Sequence, residues 1–89
     1  MIPTNISREH ILKAIQHIDT CGIPKSRLSR KHSVRYDGHL YPPKYLISIA
    51  NKYANNTELE PTCFSGGHEA NSYLEKLGFI IVYNSSDEL

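Results

Sequence analysis

"SVRYDGHLYPPKYLISIANKYA", residues 33–54, is the stretch whose reading decides the fold. Asp37-Gly38 is flanked by β-branched and aromatic residues, and this dipeptide suits a two-residue type I′ turn, in which both central residues need positive φ. Such a turn pairs Tyr36 with His39, Arg35 with Leu40 and Val34 with Tyr41. Val34, Tyr36 and Tyr41 then share one face, and Arg35 points off the other. Pro42-Pro43 ends the second strand, and proline at a first helical position is already set for the helix. A helix is therefore expected from Pro43 to about Ala54. Its apolar stripe is Leu46, Ile49, Ala50 and Tyr53 with Ile47 beside it, and Asn55-Asn56 supplies the left-handed stop.

Towards the N-terminus, Ser7 is a good N-cap, Ile6 and Ile11 are placed for a hydrophobic staple, and Ile11, Ala14, Ile15 and Ile18 recur at helical spacing. A first helix from about Arg8 to Asp19 follows, with Gly22 and Pro24 as punctuation. "KSRLSRKH", residues 25–32, has only Leu28 to bury and reads as a loop or a single helical turn. Towards the C-terminus, "TELEPTC" (57–63) is a polar connector, Phe64 an anchor and Ser65 the cap of a third helix facing the core through Ala70, Tyr73, Leu74 and Leu77. Gly78 lets the chain reverse into "FIIVY" (79–83), an apolar run suited to a central strand. The expected fold class is α+β, a small three-stranded sheet with three helices on one face, in the order α-β-β-α-α-β.

Eighty-nine residues make one small domain, which buries only roughly 60 to 65% of the surface its unfolded chain exposes. Residues 1–83 are read as this domain and 84–89 as the start of a linker or disordered tail. Apolar residues, 39% of the chain, fall into periodic runs, which argues for a folded module. No run approaches the ~18 apolar residues of a membrane span, and Met1-Ile2-Pro3-Thr4 lacks the blocks of a signal peptide, so no membrane and a cytoplasmic location are expected. In that compartment Cys21 and Cys63 read as small buried thiols.

Net charge is +1, but it is polarised along the chain. Residues 20–52 carry seven basic residues against one acid, a net +6, and residues 53–89 one against six, a net −5. A fold that keeps the blocks apart has one positive face. Lys25, Arg27, Arg30 and Lys31 lie where there is little core to build, and Arg35 is expected on the outer face of the hairpin. Such side chains neutralise phosphates and release counterions. Lys44 falls in the first turn of a helix, where the dipole prefers acids, so either a partner or a contact within the fold is expected for it. Tyr41 and Tyr45 beside it admit two readings, stacking on bases or packing in the core.

Catalytic patterns are weak. His10, His17, His32, His39 and His68 show no spacing that puts ligands on one metal, and no nucleophile elbow is present. Neither metal nor cofactor nor small-molecule substrate is expected. Ser65, Gly66 and Gly67 stand directly before a helix, whose free amides and partial positive charge suit an anion. They are read either as a turn that needs positive φ or as a contact for a DNA phosphate, and Glu69 in the same turn weighs against the anion.

Four short motifs in order, "DGHLYPPKYLISIANKYA", "LEPTCFSGG" and "LGFIIV" after the capped "ISREHILKAI", resemble the N-terminal head domain of McrA-type, HNH-containing, modification-dependent (type IV) restriction endonucleases. The likeness spans about residues 6–82. It implies a non-catalytic module at the front of a larger phage-defence protein whose other parts bind modified DNA and cut it. The residues and this context together give the expected function: a DNA-binding accessory module that contacts duplex DNA, modified or not, through Lys25, Arg27, Arg30, Lys31, Arg35, Tyr41, Lys44 and Tyr45. The alternative is a protein-interaction or homodimerisation module that organises the larger nuclease.

Overall fold

The computed structural model describes residues 1–28 and 31–83. Three helices, α1 (Arg8–Cys21), α2 (Pro43–Asn55) and α3 (His68–Lys76), accompany three strands, β1 (His32–Tyr36), β2 (His39–Tyr41) and β3 (Ile80–Tyr83). Single 3₁₀ turns cover Lys25–Arg27 and Pro61–Cys63. The order is α-β-β-α-α-β and the sheet is antiparallel throughout, so the fold is α+β.

The hairpin has the expected register, Val34 opposite Tyr41, Arg35 opposite Leu40 and Tyr36 opposite His39. Asp37 and Gly38 have φ of 52° and 79°, both positive as a type I′ turn requires. Val34 and Tyr41 are buried, and Arg35 is exposed. The sheet order is β2-β1-β3, which corrects the expectation that the C-terminal run is central. β1 takes that place, and Ile80 and Tyr83 at the two ends of β3 are exposed. Ile80 shares the outer face with Arg35, where no helix covers the sheet, and Tyr83 lies at the strand's end.

α1 packs on α2 and begins at a capping box in which the Ser7 hydroxyl accepts from the His10 amide at 3.4 Å and His10 Nδ1 accepts from the Ser7 amide at 3.0 Å. A histidine fills the place usually taken by Glu or Gln. α1 runs two residues beyond Asp19, to Cys21, and Gly22 closes it at φ 81°. α2 starts at Pro43 and stops at Asn56, which is left-handed at φ 68°. Ile6, Ile11, Ile15, Leu46, Ile49 and Leu74 form the centre of the core, joined by Phe64 and Phe79. Four side chains depart from expectation. Leu28 and Tyr53 are exposed, and both cysteines are exposed free thiols. Cys21 lies on the last turn of α1 and Cys63 on a 3₁₀ turn, where the chain is already at the surface.

Candidate nucleic-acid interface

Lys44 lies in the first turn of α2, and Gly66-Gly67 lead into α3, yet the fold puts them together. A Cβ on Gly66 would lie 3.7 Å from Lys44 Cδ. The Lys44 ammonium lies 5.2 Å from the centre of the Phe64 ring, an aromatic face that holds a cation without neutralising it. The contact with the Phe64 ring offsets part of the cost of a cation in the first turn of α2. Lys44 and the two glycines line a cleft of about 450 Å³ whose walls include Arg27, His32, Pro42 and Asn71.

Gly67, not Ser65, is the N-cap of α3, which corrects the capping assignment. At φ 56° and ψ −120° it has a conformation that favours glycine, and no side chain caps the helix. The Ser65 amide instead donates to Glu69 Oε1 at 2.7 Å. That bond holds the Glu69 carboxyl below its usual range, against a smaller opposing effect of burial. The N-terminal ammonium, the Ile2 amide and Lys44 add to the lowering. The acid is thus already engaged upstream of the helix start.

Other expected site residues divide by position. Lys25, Lys31 and Arg35 are exposed. Lys25 and Lys31 are next in sequence to the cleft residues Ser26 and His32, whereas Arg35 is on the outer face of the sheet between Leu40 and Ile80. Arg27 has a framework role: its Nη2 donates to the buried Ser48 Oγ at 2.7 Å, its guanidinium lies 4.9 Å from the Tyr45 ring centre, and Glu58 lies 3.9 Å away. Tyr41 and Tyr45 are core residues, 4% and 7% exposed, which leaves no ring face for a base. The Tyr41 hydroxyl donates to Asp19 Oδ1 at 2.8 Å, and burial first, then that bond, push it up to about 12. They are buried because the hairpin face carrying Val34 also carries Tyr41, while Tyr45 lies under Arg27. Arg30 falls outside the described residues.

The residue reading missed His32, Asn71 and Tyr83. Asn71 is in the first turns of α3, and its Oδ1 is enclosed with no hydrogen-bond partner. His32 and Tyr83, opposite each other on β1 and β3, have ring centres 4.6 Å apart. Their one available signal, a ring opening β1 and another closing β3, needs the pairing itself to be visible. Among the described residues no group of three or more His, Cys, Asp or Glu could hold a metal ion, and no helix is long and apolar enough to cross a membrane.

Among curated proteins no relative matches. A solved structure, that of the Type IV phosphorothioation-dependent restriction endonuclease ScoMcrA, is similar at a TM-score of 0.62 and 24% identity, a likeness of fold. It covers 91% of this chain and 13% of that one, so this chain spans only a small part of that relative's length. The family model described as ScoMcrA-like, N-terminal head domain, matches residues 4–83. Matched from before the first helix to the end of the last strand, the chain belongs to the ScoMcrA-like N-terminal head domain family.

Proposed function

We propose that this domain is the non-catalytic DNA-contacting module of a modification-dependent restriction endonuclease, working in the cytoplasm and holding duplex DNA mainly by its backbone. The observation that carries the reading is the meeting of the Lys44 side chain with Gly66, directly before the uncapped start of α3. A phosphate placed there meets an ammonium and backbone amides with no Cβ in the way. Lys25 and Lys31, exposed beside the cleft, add charge that attracts the strand without reading its sequence. The relative's description as a phosphorothioation-dependent endonuclease supports DNA as the partner. Titration of labelled duplex DNA at ~50 mM and ~200 mM salt tests the reading. Binding is expected at the lower concentration and should weaken steeply at the higher; no binding at ~50 mM salt overturns it.

A second reading has its own observation. Leu40 and Ile80 are 56% and 61% exposed and flank Arg35 on the outer face of the sheet, which suits a protein-interaction or dimerisation surface. Light scattering at high concentration tests self-association, and a strict monomer excludes the homodimer form of this reading.

A further inference from the structure

Two clefts meet at His32 and Asn71, which line both. The first, with Lys44 and Gly66-Gly67, offers a cation and free helix amides. The second, of about 370 Å³, ends at Tyr83, a residue 80% exposed whose ring is tilted 48° to that of His32. Joined at these shared residues they make a groove along β1, β3 and α3, with Lys44 at one end and the Tyr83 and His32 rings, beside Glu75, at the other. Between the ends lies Asn71, whose Oδ1 has no partner among the described residues. A buried acceptor left unpaired is costly, so a ligand that donates to it gains.

We propose that this groove takes one unpaired nucleotide of a DNA strand. This rests on the reading of the face as a DNA contact and deepens it. The phosphate lies against Lys44 and the start of α3, the base stacks at Tyr83 and His32, and Asn71 hydrogen-bonds the base edge. Paired bases have their faces covered and cannot reach an aromatic platform, so stacking selects a nucleotide that has left the helix. An amide offers one donor and one acceptor side by side, which matches the adjacent acceptor and donor of a base edge.

Fluorescence anisotropy with a fully paired duplex and with the same duplex carrying one bulged nucleotide tests this. The bulged duplex should bind roughly 5-fold to 100-fold more tightly, the range a stacked base supplies. Tyr83→Ala and Asn71→Leu should each remove most of that preference, and Tyr83→Ala, outside the Lys44 cleft, should leave binding of the paired duplex within about twofold. Asn71→Leu should also keep or raise Tm, because it removes an unpaired acceptor. Tyr83→Ala, at an exposed ring, keeps the test open if Asn71→Leu fails to fold. Equal binding of the two duplexes overturns the groove proposal alone, as does a preference that survives Tyr83→Ala. Absence of binding to both duplexes overturns the DNA-contact reading with it.

Discussion

Gly66 and Gly67 are neighbours with different jobs. Only Gly67 has a positive φ, and only there does a side chain strain the backbone. Gly67→Ala should lower stability by about 1–3 kcal/mol, readable as a drop in Tm, with DNA affinity measured well below melting within about twofold. At Gly66 an added Cβ meets Lys44 Cδ at an ordinary van der Waals distance, so Gly66→Ala should leave Tm unchanged. If a phosphate approaches the backbone there, the same substitution weakens DNA binding, and the pair of variants separates turn from site. Gly38→Val should cost about 1–3 kcal/mol for the same reason as Gly67→Ala, a Cβ forced to positive φ, and valine is β-branched as well. An unchanged Tm would contradict the turn. Tyr41 gives a pH dependence. Its folded value of about 12 exceeds the ordinary 10, so the native state holds its proton where the unfolded chain releases it. The stabilisation is complete below pH 10 and is lost as pH rises from 10 to 12. Melting at pH 9 to 12 should show a Tm decline that is shallower in Tyr41→Phe. The decline persists in part, because burial also raises Tyr45 and Tyr73.

At the scale of elements, the basic block divides into framework and surface. The 3₁₀ turn at Lys25–Arg27 has no buried residue of its own, and Arg27 ties it to α2 through Ser48 and Tyr45. Arg27→Ala should therefore destabilise by about 1–3 kcal/mol, since it leaves the buried Ser48 hydroxyl without its donor and uncovers Tyr45. Lys25→Ala with Lys31→Ala should do the reverse: Tm holds, DNA binding weakens and the salt slope shrinks by up to about 2. Arginine and lysine in one charge run look alike in sequence; the partners that distinguish them come from α2, some twenty residues away. Local signals were good guides where the cause was local, as in the Asp37-Gly38 hairpin, the Pro43 helix start and the Asn56 stop. Ser65 misled because the helix opens two residues later, at Gly67, whose positive φ sets the turn.

Over the whole molecule, element order and hairpin register were legible from turn chemistry and periodicity, and sheet order was not. Which strand lies in the middle depends on how a chain reversal at Gly78 returns β3 to β1, and an apolar run such as "FIIVY" suits an edge packed on one face as well as a centre. The candidate site was legible in its charges and illegible in its assembly, because Lys44, Asn71, His32 and Tyr83 lie on four different elements. The central claim is that Lys44 and the start of α3 hold a DNA phosphate, and the salt dependence of duplex binding in the parent chain and in Lys44→Gln tests it most directly. Parent affinity should fall linearly on a log-log plot against salt, and Lys44→Gln should bind more weakly with the slope reduced by about 1 while Tm is kept. A Lys44→Gln variant with the parent's affinity and the parent's slope would contradict the account.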